Sequence, residues 1–256
     1  MQHPNPRIGM SLLAFVALVV IGVFLFVPPV PQDSAYYLFA DTRPLLGIPN
    51  FGDVMSNLPF VLIGLAGLFA LRKHEPRLPL SAAFYIFFVG IFLTGFGSGW
   101  FHWAPGNDTL VWDRLPMTIA FMPFLAIILG LYIAESTGRR WLLPLLAIGV
   151  FSVFYWDYTE SLGRGDLRPY ALVQFLPMLL IPLCLLIFGR GRPESNVFWG
   201  MIGCYVLAKV LEALDTQVFA AGGLVSGHSL KHLAAAAAPW LLLRAIKAGT
   251  FDKKQA

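Results

Sequence analysis

Five residues at two distant places in the chain have the side chains and spacing to do chemistry. Ser98 and His102 are four apart, and Asp113 follows the histidine by eleven. Far along the chain, in GHSLKH, His228 and His232 are again four apart. Helical residues at that spacing project from one face about one turn apart. Two such imidazoles with a third from another element make a three-histidine site, and catalytic zinc takes three protein ligands and leaves a fourth position open. A metal so held lowers the pKa of water to about 7. A carboxylate at Asp113 can take the proton as base and return it as acid. Ser98, one turn deeper than His102, can donate to a developing oxyanion. Metal, water, base and oxyanion donor are the equipment for hydrolysing an amide or ester.

Each of these residues also has a structural alternative. A histidine pair four apart arises by chance, and a serine in an apolar helix commonly bonds its own backbone. Asp113 can pair with Arg114, Arg168 or Lys231. Ionisable groups inside a membrane cost about 2.5–3.5 kcal/mol each on insertion scales, so five polar groups converging on one side favour the site.

The surroundings are those of a membrane. The chain of 256 residues is 57% apolar and 12% charged, with a mean hydropathy of +0.71. A soluble domain carries about 25% charged residues. Apolar runs of about 20 residues recur, the length that crosses a bilayer core of about 30 Å. The expected fold is an all-α polytopic membrane protein with eight spans, near residues 8–27, 54–71, 80–101, 110–134, 141–156, 170–188, 196–214 and 226–244. The first run exceeds the 7–15 residues of a signal peptide's apolar region and lacks a small-residue cleavage site, so it is expected to be a retained span. The net charge of +4 and pI near 9.2 belong to loop charges rather than to nucleic-acid binding. Cys184 and Cys204 sit in apolar runs and imply no disulfide framework.

The loop charges orient the chain. With the N-terminus inside, the inner loops and ends hold Arg7, Arg72, Lys73, Arg77, Arg139, Arg140, Arg190, Arg192, Arg244, Lys247, Lys253 and Lys254, which is 12 of the 18 Lys and Arg. The outer loops hold Arg43, Arg164 and Arg168, while Arg114, Lys209 and Lys231 lie near outer span ends. This asymmetry predicts an even number of spans with both termini cytoplasmic. It places Ser98, His102, Asp113, His228 and His232 together in the outer part of the membrane, and His3 and His74 on the other side.

Several polar residues near the cluster carry two readings. Asn50, Asp53, Ser56 and Asn57, at the outer start of the second span, either line the site or form a turn with Asp53 as helix cap. Lys209 and Glu212, three apart, can pair; Glu212 or Asp215 can instead meet a lipid headgroup. Asp157 and Glu160 are expected at the interface, and the abundant Phe and Trp residues in the lipid-facing surface and interfacial belt. The alanine run 234–238 suits close helix packing. Pro123, Pro144, Pro177 and Pro182 are expected to kink their spans.

At this point a family resemblance can be stated. The combination of S-x3-H, an aspartate eleven residues on and H-x3-H in the last span resembles the alkaline ceramidases. It is also similar to the wider membrane-hydrolase superfamily that includes the adiponectin and progestin-type receptors. GSGWFHWAPGNDTLVWDRLPM resembles the family's first motif, GHSLKH its last, and Ser56-Asn57 in DVMSNLPFVLIG, at the entry of the second span, its Ser-Asn motif. The resemblance covers roughly residues 50–240 and seven spans, and the first span is an addition. It implies one domain over residues 1–256, a seven-helix core at 50–244 and an extra span at 8–27. It implies a zinc amidase that splits the N-acyl bond of a ceramide-like membrane lipid into a fatty acid and a sphingoid-type base. His102, His228 and His232 would hold zinc, Ser98 would assist the oxyanion, and Asp113 would carry protons. Eukaryotic members resemble one another in an acidic, tryptophan-containing calcium-binding segment. The corresponding loop here has Asp41, Asn50 and Asp53 and does not match residue by residue, which leaves calcium open. Other classes remain. A receptor or sensor would keep the zinc as a closed structural site, and a transporter would continue polar groups toward the inner side. Short loops and the lack of an ER-retention tail point to a bacterial inner membrane, with the site toward the periplasm.

Overall fold

The structure, a computed structural model, describes residues 6–74 and 78–252, with side chains described from residue 14 onward and not at position 74. Arg7, Arg77, Lys253 and Lys254, used above to orient the chain, and His3 and His74, placed by that orientation, lie outside the described side chains. The described chain is all-helical, 78% helix without strands. Helix α1 (Pro6–Phe26) leads into a strap that contains a single 3-10 turn (Ser34–Tyr37). The short α2 (Phe51–Met55) steps into α3 (Leu58–His74). There follow α4 (Ser81–Trp103), α5 (Asn107–Tyr132), α6 (Glu135–Ser161), α7 (Arg168–Phe188), α8 (Glu194–Ala213), the short α9 (Asp215–Gly222) and α10 (Gly227–Lys247).

Long helices thus stand at all eight expected places. Six of them are long and apolar enough to cross a membrane on composition alone: the α2–α3 unit, α4, α5, α6, α7 and α8. The chain is therefore a multi-pass membrane protein. The described apolar stretch of α1 is shorter, Ala14–Phe26. In α10, His228, Lys231, His232, Arg244 and Lys247 dilute the hydropathy.

Neighbouring helices pack mainly as α3 on α4, α4 on α5, α5 on α6, and α8 on α10, with α10 also against α3. Within lipid such contacts are driven by close van der Waals fit rather than by apolar burial, which favours small residues at crossings. The α4–α5 crossing shows this directly. A Cβ at Gly97 would collide with the carbonyl of Trp112, and one at Gly90 would stand 2.6 Å from the amide nitrogen of Ala120. Two helical turns separate these glycines, on the same face of α4. The close approach brings Ser98 against the face of α5 that carries Asp113. On the next crossing a Cβ at Gly138 would meet the Ala126 carbonyl at 2.5 Å.

One core, around Phe84, Phe88, Ile127, Phe198, Leu242 and Ile246, fills the end of the bundle away from the histidines. A smaller one, Phe101, Leu110, Val153, Trp156 and Tyr170, lies under the strap. Helix α1 rests against α7. Its C-terminal carbonyl of Val27 accepts from Arg168 Nη1 at 2.8 Å, and Val30 O accepts from Leu167 N at 2.8 Å. Leu18, Leu25 and Phe26 stay exposed, a lipid-facing surface. Replacing Gly97 by valine is expected to wedge α4 from α5 at a cost of about 1–3 kcal/mol. Thermal unfolding of the purified protein in detergent should show a lowered midpoint; an unchanged midpoint would refute the close crossing.

Candidate metal centre

His102 lies in the last turn of α4, and His228 and His232 on the first turns of α10; all three are buried. Their Nε2 atoms supply the approach: His102 Nε2 stands 3.3 Å from His228 Nε2. His232 completes the triangle, with ring centroids 4.9 Å from His102 and 5.1 Å from His228. One ligand atom from each lies within 4.8 Å of the others. Two nitrogens bound tetrahedrally at about 2.0–2.1 Å from zinc would themselves be about 3.4 Å apart, so the spacing fits such an ion. Among the described residues the group has three histidines and no fourth His, Cys, Asp or Glu ligand.

The tautomer of His232 can be worked out. Ser56 Oγ donates its one proton to the carbonyl of Asp53 at 2.9 Å and lies 2.8 Å from His232 Nδ1. The ring must therefore donate from Nδ1, which leaves the Nε2 lone pair free for a metal. His102 Nδ1 is buried without a hydrogen-bond partner.

Polar anchors from three other segments hold the two histidine-bearing helices. Asp53 Oδ1 accepts from Ser229 Oγ at 2.6 Å and Ser226 Oγ at 3.2 Å, tying α2 to the first turn of α10. Ser226 also caps that helix, accepting from Ser229 N at 2.9 Å, as a serine N-cap does. Asp215 Oδ1 accepts from His228 N at 2.7 Å, and its Oδ2 accepts from Ala40 N in the strap at 2.9 Å. Asn50 Nδ2 donates to His102 O at 2.8 Å. Of the two readings of Asp53, the helix cap is excluded: it sits inside α2, with Asn50 at the cap position, and its carboxylate is spent on another helix. Asp215 likewise faces α10 and the strap rather than a lipid headgroup.

Ser98 and Asp113 face the same space. Both line the cavity that His102 and His232 also line. The candidate ion-pair partners of Asp113 are engaged elsewhere. Lys231 Nζ is 2.7 Å from Glu212 Oε1, Arg168 is 2.8 Å from Asp166, and Arg114 donates to Gln32 at 2.6 Å. Lys209 also pairs with Glu212. Glu160 accepts from Trp156 Nε1 and from Gln32 N in the strap.

Below the polar groups the cavity, about 370 Å³, is apolar, walled by Phe60, Phe87, Phe124, Met178, Met201 and Ala238. From Asp113 to Phe124 along α5 is about 16 Å at 1.5 Å per residue, roughly half the bilayer's hydrocarbon thickness. The arrangement suits an amphipathic molecule, polar end at the histidines and apolar chain along the helices.

The strap covers the centre from outside. The ring of Phe39 packs at 4.8 Å from that of His102 and 4.6 Å from that of His228, with Phe101 behind it at 6.0 Å. Arg43 fastens the strap to the α9–α10 connection through Gly223 O and Leu224 O, each at 2.9 Å. Its guanidinium also grips Asp41 at 2.7 and 2.8 Å. Those hydrogen bonds hold the Asp41 carboxyl below its ordinary pKa of 3.8. Asp41, Asn50 and Asp53 therefore each have a partner of their own, on Arg43, on His102 O and on Ser226/Ser229. Phe39, Ser226 and Ser229 have no role in the sequence reading, and Asp215 has a different one. Only the Ser-x-x-Ser cap before an apolar run carried a detectable signal.

A multi-helix membrane protein with three converging histidines at the head of an apolar cavity is the class defined by fold and site. The chain matches the family model described as Ceramidase over residues 48–187, more than half its length, and it belongs to the ceramidase family. The matched stretch contains Ser98, His102 and Asp113 and ends before His228 and His232. No curated protein matches the chain.

Two outcomes follow. Ser56→Ala should weaken zinc affinity by about 10–100-fold, measured by chelator competition. Equal affinity in the variant would remove Ser56 as the orienting group. A carboxyl with its pKa lowered in the folded state contributes stability that is fully present above the unfolded value near 3.8 and lost as pH falls through the folded value. Asp41→Asn should therefore raise amide exchange in the strap at neutral pH. The parent strap should keep its protection until the pH drops below 3.8.

Proposed function

We propose that this protein is a zinc-dependent amidase that cleaves the N-acyl bond of a ceramide-like lipid, giving a fatty acid and a sphingoid-type base. The observation that carries the reading is the three-histidine cluster with Ser98 and Asp113 at the head of a largely apolar cavity. Membership of the ceramidase family supports it.

His102, His228 and His232 would hold the zinc. When bound, zinc supplies a Lewis acid for the amide carbonyl and lowers the pKa of water to about 7. The protein's own residues do the rest. The apolar walls between α4, α5, α7, α8 and α10 take the chains of the lipid and set its amide at the level of Ser98. Asp113 takes one proton from the attacking water as the oxygen bonds to the carbonyl carbon. As the C–N bond breaks, Asp113 returns that proton to the nitrogen, so the amine leaves neutral. Ser98, on the same cavity wall, turns its hydroxyl to the developing oxyanion. Phe39 and the strap keep bulk water from the centre.

The receptor-like alternative needs a closed site, whereas the group here has three protein ligands above an open cavity, as catalytic zinc does. The transporter alternative needs polar groups along the cavity, and its far end is lined by Phe60, Phe87 and Phe124.

The reading places eight spans in the membrane, α1 as an addition to a single seven-helix domain, both termini in the cytoplasm and the histidines toward the outside. In a bacterial inner membrane that side is the periplasm. Arg72, Lys73, Arg139, Arg140, Arg190, Arg192, Arg244 and Lys247 would then face the cytoplasm, as the positive-inside rule requires. In a cysteine-free background, Arg164→Cys should react with an impermeant maleimide on intact cells and Arg190→Cys only after permeabilisation; the reverse pattern would invert the topology.

For the chemistry, purified protein should contain zinc and release fatty acid from ceramide, and His102→Ala should lose the zinc as measured by elemental analysis. Asp113→Asn should retain zinc while kcat falls by about 10²–10⁴, and Ser98→Ala should lower kcat by about 10²–10³. Full activity in Asp113→Asn would sink the proton-transfer role.

A further inference from the structure

Glu212, Lys209, Lys231 and Arg114 form a charged group at the head of the cavity that the hydrolysis above does not use. Glu212 Oε1 accepts from Lys231 Nζ at 2.7 Å and its Oε2 accepts from Lys209, so one carboxylate serves two ammonium groups. Arg114 is a third cation, 5% exposed. Its guanidinium carbon lies 4.2 Å from the ring centroid of Trp156 and 4.7 Å from that of Tyr170. Its Nη2 donates to a neutral acceptor, Gln32 Oε1, at 2.6 Å, and its Nη1 is buried with no hydrogen-bond partner.

These residues and Asp113 all line one cavity. Asp113 and Arg114 stand near the start of α5, Lys209 and Glu212 near the end of α8, and Lys231 near the start of α10 beside His232, so the groups share one end of it. Three cations there face two carboxylates, and a metal ion on the histidines adds to the imbalance. Buried charge is costly unless paired and hydrogen-bonded. Ring faces attract a cation but carry no full negative charge. A guanidinium with a free N–H is the group that matches the oxygens of a carboxylate or phosphate.

We propose that the lipid cleaved here carries an anionic oxyacid group (phosphate, sulfonate or carboxylate) on the base side of the amide, received by Arg114 with help from Lys209 and Lys231. The inference rests on the amidase reading. Arg114 and Lys209 are specificity residues in it, acting on the headgroup and not on the scissile bond. A neutral ceramide leaves the free Arg114 N–H and the surplus positive charge unanswered. An anion answers both.

The test uses the zinc-loaded full chain in detergent with matched lipids: N-palmitoyl sphinganine, its phosphate ester and its sulfonate analogue, and N-palmitoyl serine for the carboxylate. Released palmitate is measured to give kcat and KM. At least one anionic lipid is expected to exceed the neutral ceramide by about tenfold or more in kcat/KM, chiefly through KM, and the best of them identifies the acid group. Arg114→Gln should remove the preference while Arg114→Lys retains part of it. Lys209→Gln, at a side chain 39% exposed and so tolerant of change, should reduce it independently should Arg114→Gln fail to fold. Neutral ceramide cleaved as well as or better than every anionic lipid overturns the inference and leaves the amidase reading standing. Variants that slow all lipids equally overturn the assignment to these residues. No palmitate from any lipid removes the amidase reading, and this inference with it.

Discussion

Three imidazole nitrogens on two helices more than a hundred residues apart in the chain have to meet in an apolar medium. Nothing in lipid holds rings at that spacing by itself, because an apolar surround supplies neither direction nor distance. The spacing is set by hydrogen bonds that are themselves buried, where each is stronger and each orphaned partner costlier than in water. Asp53 is the centre of that network. One carboxylate oxygen takes both Ser226 and Ser229, and the backbone carbonyl of the same residue takes Ser56, which orients His232. Asp215 does the same from the other side, fixing the amide of His228 and the strap at Ala40.

The cavity follows from how the helices can approach. Glycines at the α4–α5 and α5–α6 crossings bring those backbones together, which closes one side of the bundle. The walls of α5, α7 and α10 carry internal prolines, Pro116, Pro123, Pro177, Pro182 and Pro239. Each forfeits a ladder hydrogen bond, which a neighbouring helix must tolerate. The space left is polar at one end and apolar along the rest. A ligand with one reactive polar group and a long apolar body satisfies both parts, and a small soluble molecule satisfies only the first.

The strap links these two parts. It is an irregular segment, yet it packs an aromatic ring on the histidines, pairs Arg43 with Asp41 and with the α9–α10 connection, and engages Arg114 through Gln32. Access to the centre from outside therefore depends on a segment held by a few polar contacts.

Much was legible in the sequence because its signals were local. A run of about 20 apolar residues is a span wherever it sits, so the helices lie close to the expected ranges. Two histidines four apart on a helix must share a face, and loop charges alone put Ser98, His102, Asp113, His228 and His232 at one end. What stayed hidden depends on contacts between segments distant in sequence. Asp53 reads locally as a cap, and only the arrival of Ser229 against Gly52 reveals it as a bridge between helices. Phe39 has no periodicity to mark it, and Asp215 looks like any acidic residue at a helix start. The sequence by itself determined the helices and the three histidines that could hold a metal ion, and put them at one end of the bundle. The tertiary structure alone decided which polar groups hold those histidines in register, and that Arg114 is left with a donor and no acceptor, because hydrogen bonds between distant helices leave no trace in local spacing.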